Sequence, residues 1–166
     1  WAPHIEDAST RFGVPAAWIT RVMHAESRGH TTRNGRPIVS PAGAMGLMQL
    51  MPETWTEMRA RLGLGDDPHH PVDNIMAGTL YLRLMYDRFG YPGLFAAYNA
   101  GPARYARHLA TGRALPRETQ DYVMRVGGSY APPVSEAPIS PPTKPVLFFS
   151  LSGSGLPDGR RPTERL

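Results

Sequence analysis

The 166-residue chain has no cysteine, a single lysine (Lys144) and no long apolar run. Without cysteine the protein forms no disulfide and has no thiolate for nucleophilic catalysis or metal binding, a composition that is compatible with export. No apolar stretch approaches the roughly 20 residues that cross a bilayer, so we expect no membrane-spanning helix. Because the chain begins at Trp1 instead of methionine, we expect that a targeting segment has been removed.

The formal net charge is +4, and almost all basic residues are arginines spread along the chain. A modest positive charge favours anionic partners but does not choose among nucleic acid, acidic lipid and cell-wall polymer. No basic run with interleaved aromatic residues is present, so we expect no nucleic-acid partner. His69 and His70 lack the His-Glu-x-x-His spacing of a zinc site, and no glycine-rich phosphate loop precedes a lysine. We therefore expect no metal and no cofactor.

Glycine and proline divide residues 1–130 into segments with a helical spacing of apolar residues. Proline favours the first turn of a helix, and glycine favours its end. Asp73 is a suitable N-cap for the longest helix, while residues 29–45 carry the turn signals of a loop. No alternating pattern indicates a strand. The predicted helices cover residues 3–12, 15–28, 52–62, 73–89, 92–98, 102–110 and 116–126, with one apolar helical turn at 46–51.

The composition changes after residue 130. Residues 131–166 contain eight of the eighteen prolines, with serine and glycine between them. Proline lacks an amide hydrogen and fixes its φ angle, so this segment cannot continue a helical core. We predict a helical domain over residues 1–130 and a largely irregular tail over residues 131–166. The apolar residues 146–149 are expected to dock on the domain, although pairing with a partner and exposure to solvent stay open.

Glu26 lies on an apolar helical face. Ile19, Val22, Met23 and Glu26 follow the i, i+3, i+4, i+7 spacing of one face, and the other three positions are apolar. Because burial disfavours the charged form of a carboxyl group, we expect a raised pKa for Glu26 and a role as general acid. The alternative is a glutamate in the last turn of a helix that faces solvent or forms a local hydrogen bond.

Three further segments combine glycine or aromatic residues with polar side chains. The glycines of SPAGAMGLMQ (residues 40–49) allow close approach of the backbone to a ligand or to another helix. AYNAGP (residues 97–102) places polar side chains where a helix ends, a pattern that a simple helix cap also explains. The acidic residues of ETQDYV (residues 118–123) suit the first turns of a helix without any function. Each segment alone is compatible with a structural role.

Together with Glu26-Ser27, these segments occur in an order that resembles the catalytic domain of soluble lytic transglycosylases, which is related in fold to goose-type lysozyme. The resemblance covers residues 5–127 and leaves out the tail. It implies an all-α, lysozyme-like domain that cleaves the MurNAc-β-1,4-GlcNAc bond of peptidoglycan and leaves a 1,6-anhydromuramoyl end. It also implies a periplasmic or otherwise exported protein, with peptidoglycan glycan strands as the partner.

The resemblance also assigns roles to individual residues. It makes Glu26 the single acid/base and Tyr98 a second catalytic residue. One departure from the family pattern is Gln120, where the family often has arginine. The residues that the resemblance places at the substrate are Ser27, Ser40, Gly46, Met48, Gln49, Asn99, Glu118 and Tyr122.

None of the four segments offers an obvious second carboxylate. The expected mechanism therefore uses Glu26 for both proton transfers and the acetamido group of the substrate to stabilise the anomeric centre. One alternative is a hydrolytic lysozyme that uses the same acid. Another is a non-catalytic, peptidoglycan-binding component of an envelope-spanning secretion or conjugation system. We expect the protein to be a monomer.

Overall fold

The computed structural model describes residues 1–127, which lie within one compact unit of the chain. The predicted tail and its boundary at residue 130 lie outside the described residues. This part of the chain is built from helices with one small hairpin, so the all-α prediction is confirmed. None of these helices is long and apolar enough to span a membrane. The elements are α1 (Ala2–Phe12), α2 (Ala16–Ser27), β1 (Thr32–Arg33), β2 (Arg36–Pro37), α3 (Pro52–Leu62), α4 (Pro71–Phe89), α5 (Gly93–Ala100), α6 (Pro102–Thr111) and α7 (Arg117–Gly127).

Proline and glycine set most helix ends, as the sequence predicts. Proline lies in the first turn of α1, α3, α4 and α6, and each of these helices is followed by glycine. α2 is instead followed by Arg28, whose φ of 56° lies in the left-handed region. Residues with a side chain rarely adopt this conformation.

α4 is the central helix. It packs against α1, α3 and α5, while α5 packs against α6 and α7 and α2 contacts α1 and α7. Trp18 of α2 is 3% exposed. Its ring centroid lies 5.4, 5.5 and 5.8 Å from those of Tyr86, Tyr91 and Phe95. This aromatic cluster links α2 to α4 and α5 and so fixes the helix that carries Glu26.

The start of α4 differs from the prediction. The helix begins at Pro71, with His70 in the N-cap position, so Asp73 lies in the first turn and is not the N-cap. The fixed φ of proline suits the first helical position and extends the helix in the N-terminal direction. The Asp73 carboxylate instead accepts a hydrogen bond from the Gly65 backbone N–H at 3.3 Å. It therefore links α4 to the preceding loop.

The predicted loop at residues 29–45 contains a short hairpin. β1 and β2 pair in antiparallel fashion across Asn34 and Gly35, whose φ angles are 52° and 73°. Positive φ at both central residues is typical of tight hairpin turns. The prediction of no strand is wrong for these two elements, because strands of two residues are too short to show an alternating pattern.

Residues 46–49 form a tight turn and not the predicted helical turn. Met45 and Leu50 exchange backbone hydrogen bonds of 2.9 and 3.0 Å, which close the turn on both sides. Gln49 adopts a left-handed φ of 47°. The apolar spacing of this segment reflects burial of Leu47, Met48 and Leu50, each at most 2% exposed.

Asn74 of α4 holds this turn in place. Its side chain is fully buried, and its Oδ1 accepts a hydrogen bond from the Met48 N–H at 2.7 Å. The Nδ2 group donates to the carbonyl oxygens of Met45 at 3.2 Å and Pro68 at 2.9 Å. A buried amide with three hydrogen bonds fixes the turn against the central helix.

We predict that Gly46→Ala destabilises the domain much more than Gly35→Ala. The two glycines have φ angles of 74° and 73°, so both substitutions carry a similar backbone cost of about 1 kcal/mol. A Cβ atom at Gly46 would also overlap the Asn74 amide, whereas nothing lies within 4 Å of one at Gly35. Overpacking of this kind adds roughly 1–3 kcal/mol. Denaturant unfolding of both variants measures the difference, and equal losses would contradict the packing argument.

Candidate active site

Glu26 occupies the last turn of α2 at the edge of the core. Ile19, Val22 and Met23, the other predicted members of its face, are at most 6% exposed. Glu26 itself is partly exposed. The predicted apolar face is therefore present, and the carboxyl group lies where this face meets the surface.

The electrostatic surroundings of Glu26 favour its protonated form. Burial raises the pKa of the Glu26 carboxyl group from its usual value near 4.5 to about 7. A hydrogen bond from Tyr122 and the charge of Arg125 lower this pKa, while the charge of Glu118 raises it. Desolvation is the largest cause, so the carboxyl group holds a proton in a substantial fraction of molecules at neutral pH.

Tyr122 of α7 positions the Glu26 carboxyl group. Its hydroxyl donates a hydrogen bond to Oε1 of Glu26 at 2.7 Å across 96 residues of sequence. The Tyr122 side chain is 2% exposed. We therefore revise the expected substrate-binding role of Tyr122: the ring is buried, and its polar atom is used to orient Glu26.

Tyr98 of α5 lies behind the 46–50 turn. Its hydroxyl donates to the Met48 carbonyl oxygen at 2.8 Å, and its ring centroid lies 5.2 Å from that of Tyr81. Burial, the largest cause, and then the charge of Glu26 raise the pKa of Tyr98 well above its ordinary value. Tyr98 is therefore close enough to Glu26 to respond to its charge, although its hydrogen bond goes to the turn.

A concavity of about 600 Å³ opens beside Glu26. Its walls come from the end of α2 and from the hairpin that follows. Cationic side chains are frequent in this wall, and Glu26 is the one carboxyl group among the described residues that line it. The lining residues are Ala25, Glu26, Ser27, Arg28, His30, Thr32, Arg33 and Ile38.

The sequence matches the family described as "Transglycosylase SLT domain" over residues 3–120. This chain belongs to the transglycosylase SLT domain family. Tyr122 lies two positions beyond the matched range, so the family match alone would not point to the hydroxyl that contacts Glu26.

Relatives of this SLT domain include bacterial and phage proteins. The soluble lytic murein transglycosylase of Escherichia coli K12 is 43% identical over 98 residues, 55% of this chain and 14% of the relative. The membrane-bound lytic murein transglycosylase C of Glaesserella parasuis is 30% identical over 122 residues, 64% of this chain and 32% of the relative. A transglycosylase of enterobacteria phage PRD1 is 29% identical over 173 residues, 95% of this chain and 62% of the relative.

Solved structures of similar proteins share the fold. The 70 kDa soluble lytic transglycosylase of E. coli superposes with a TM-score of 0.65 and 30% identity, covering 76% of this chain and 22% of that one. A complex of the 70 kDa soluble lytic transglycosylase with bulgecin A gives a TM-score of 0.66 at 28% identity, with the same coverage. The SLT domain therefore spans a small part of these bacterial proteins.

The 46–50 turn of the SLT domain has a structural role that differs from the predicted one. Met48 is fully buried, and a Cβ atom on Gly78 would lie 2.5 Å from the Cβ of Met48. Its side chain therefore packs in the core and does not line a groove. Gly46 permits close approach of Asn74, not of a ligand. Gln49 is partly exposed and donates to the Gly46 carbonyl oxygen at 2.8 Å.

Two predicted serines form local hydrogen bonds. Ser27 is 4% exposed, and its hydroxyl donates to the Met23 carbonyl oxygen at 3.2 Å and accepts from the Gly29 N–H at 3.1 Å. Its single donor is therefore used at the end of α2, and its expected role at the substrate stays a prediction. The Ser40 hydroxyl accepts from the Ala44 N–H at 3.0 Å, which leaves its own proton available.

The remaining predicted residues are accessible to a ligand. Asn99 follows Tyr98 at the end of α5 and is partly exposed, while Glu118 is exposed in the first turn of α7. Over residues 1–127, no group of three His, Asp or Glu side chains could hold a metal ion. No sequence motif pointed to Asn74, Arg28, His30 or Arg33. Arg28, His30 and Arg33 follow Glu26 closely in the chain, and this proximity was the one sequence feature that could have indicated a place beside it.

We predict that Glu26→Gln stabilises the domain increasingly as the pH rises. With a folded pKa of about 7, the folded state holds a proton that the unfolded state releases above its own pKa. The contribution of Glu26 to the wild-type free energy of unfolding therefore falls between pH 4.5 and 7 by roughly 2–3 kcal/mol once partial exposure is allowed for. Glutamine cannot ionise, so the Glu26→Gln variant does not lose this part of its free energy of unfolding.

Denaturant unfolding at several pH values from acid to mildly alkaline tests this linkage. Glu6→Gln, which removes an exposed carboxyl group of α1, is the control for the loss of one negative charge. A constant stability difference between Glu26→Gln and wild type across this range would show that Glu26 is an ordinary solvated carboxylate.

Proposed function

We propose that this SLT domain is a lytic transglycosylase that cleaves the MurNAc-β-1,4-GlcNAc bond of peptidoglycan glycan strands and forms 1,6-anhydromuramoyl ends. The observation that carries the proposal is the partly buried, desolvated Glu26 carboxyl group, with a pKa of about 7, at the wall of an open concavity. The names of its relatives, which act on murein, support the choice of substrate.

In the first step, protonated Glu26 donates its proton to the glycosidic oxygen while the bond to the anomeric carbon breaks. A general acid works best when its pKa lies near the working pH, because both protonation states are then accessible. The hydrogen bond from Tyr122 holds Oε1 at 2.7 Å. The other carboxyl oxygen, Oε2, is then the one that delivers the proton.

The positive charge that develops at the anomeric carbon must be stabilised by a nearby electron-rich group. In most glycosidases a second carboxylate supplies it, but among the described residues that line the concavity Glu26 is the one carboxyl group. Asp121 and Glu118 are exposed on α7. The 2-acetamido oxygen of the substrate therefore stabilises the anomeric centre, as in substrate-assisted glycosidases.

In the second step, the C6 hydroxyl of the muramoyl residue attacks the anomeric carbon, and the ionised Glu26 takes its proton. One residue thus serves as acid and then as base, and it returns to its starting state. Water in place of the C6 hydroxyl would give hydrolysis, so exclusion of water decides between this reaction and that of a lysozyme. We propose that Tyr98 contributes to this shielding, whereas Met48 is fully buried in the core.

We also propose that the protein is exported, acts as a monomer on the cell wall, and uses residues 131–166 to join a secretion or conjugation system. The name of the membrane-bound relative supports a location in the cell envelope. A pull-down from envelope extracts with the full chain and with residues 1–130 tests the tail. Equal recovery of partners by both would argue against it.

We predict that Glu26→Gln folds normally and loses the release of anhydro-muropeptides from purified sacculi. A positioned acid/base contributes about 10²- to 10⁴-fold in rate. Mass spectrometry of the released fragments measures the product and separates it from the hydrolytic one, which is heavier by one water. Glu6→Gln is again the control. Retention of near-wild-type release by Glu26→Gln would remove Glu26 from the mechanism.

We predict that kcat/KM decreases as the pH rises through about 7, because the reaction needs the protonated form of Glu26. Tyr122→Phe removes a hydrogen bond that lowers the pKa of Glu26, so the decrease should move to higher pH. Tyr98→Phe is the matched variant, since its hydroxyl donates to Met48, and it should lower the rate without moving this limb. The same shift in both variants would argue against a specific role of Tyr122.

A further inference from the structure

Residues 102–117 carry the whole net charge of the chain. They include Arg104, Arg107, Arg113 and Arg117 and no aspartate or glutamate, which gives a formal charge of +4. The remainder of the sequence has fourteen basic and fourteen acidic residues. The positive charge that makes the protein basic is therefore concentrated on α6 and on the segment that leads to α7.

Three of these arginines line a concavity of about 440 Å³ between α6 and residues 112–116, which we call the α6 concavity. Arg104, Arg107 and His108 follow the i, i+3, i+4 spacing of one helical face. Arg113 comes from the segment after the helix. The α6 concavity shares no residue with the one beside Glu26. Its lining residues are Arg104, Arg107, His108, Arg113, Ala114, Leu115 and Pro116.

Local hydrogen bonds fix the backbone of the α6 concavity. The Gly112 N–H donates to the His108 carbonyl oxygen at 2.8 Å, and Nδ1 of His108 donates to the Arg113 carbonyl oxygen at 2.6 Å. The Gln120 side chain donates to the Leu115 carbonyl oxygen at 2.8 Å. The loop is therefore held in one shape before any ligand arrives, which lowers the entropy cost of binding.

Within the described part of the chain, no carboxylate neutralises the arginines of the α6 concavity. Among residues 1–127, none of Arg104, Arg107 and Arg113 forms an ion pair. Other arginines of the domain are engaged: Arg83 pairs with Asp87 at 2.7 Å, and Arg88 lies 4.9 Å from the ring centroid of Phe89. Like charges on one helical face repel each other. An anion in the concavity would relieve this repulsion.

We propose that the α6 concavity is an accessory site that binds the carboxylates of peptidoglycan stem peptides. The choice of this ligand rests on the proposed function. Arginine presents a planar fork that matches a carboxylate with two hydrogen bonds. A concave site whose lining includes the apolar residues Ala114, Leu115 and Pro116 admits a projecting peptide, whereas a membrane presents a broad surface. The site gives the protein a second binding contact with its substrate, away from the bond that is cleaved.

Binding of glycan strands to the full chain in the Glu26→Gln background tests this proposal without cleavage. Strands with stem peptides and strands stripped of peptides by an amidase are the two probes. Arg104→Gln with Arg107→Gln should raise the Kd for peptide-bearing strands about fivefold to tenfold and leave the Kd for stripped strands unchanged. The corresponding double substitution to lysine keeps the charge but loses the fork, so it should have a smaller effect.

Arg11→Gln with Arg88→Gln is the charge-matched control, because both side chains are exposed and stack on aromatic rings. The proposal is overturned if this control weakens binding as much as Arg104→Gln with Arg107→Gln. It is also overturned if the latter pair weakens binding to anionic phospholipid vesicles but not to peptide-bearing strands. Cleavage by the wild-type protein is assayed separately, so failure of the enzymatic function and failure of this site give different results.

Discussion

The desolvation of one carboxyl group is the constraint on which the rest of the site depends. Glu26 lies at the end of α2, where an apolar helical face meets the surface, and burial desolvates its carboxyl group. Because burial disfavours the charged form, the pKa of the carboxyl group rises to about 7. Tyr122 and Arg125 moderate this effect. Without them, the pKa of the carboxyl group would be higher still.

A second network, centred on Asn74, supports the site from within the core. Asn74 joins α4 to the 46–50 turn, and Tyr98 joins the same turn to α5. Gly46 and Gly78 allow this close packing because a Cβ atom at either position would collide with its neighbour. The glycine-rich segment therefore determines how closely the 46–50 turn packs against α4.

The sequence was sufficient for the helices and for the acid, because both depend on local patterns. Apolar spacing, proline and glycine predicted each helix to within a few residues, and the apolar face of α2 predicted the raised pKa of Glu26. The contacts of Tyr122 and Asn74 join residues far apart in the chain, and no local pattern encodes them. The resemblance also assigned Met48 and Gly46 to the substrate, whereas both are buried in the turn that packs against α4.

The sequence also did not predict that residues 28–33 line the concavity beside Glu26, for a related reason. Hairpin strands of two residues give no periodic signal, so a segment expected to be a plain loop became one side of the concavity. Whether a loop residue faces an acid depends on where a turn directs the chain. Only the three-dimensional arrangement gives that information.

The separation between Glu26 and Tyr122 also affects the order in which the protein matures. The two partners lie 96 positions apart, and α7 is the last helix of the described domain. While a nascent chain emerges from the ribosome, Glu26 is made long before the hydroxyl that orients it. An unfinished polypeptide thus lacks the hydrogen bond that orients this carboxyl group, and the site is complete only when synthesis of the described domain is almost finished.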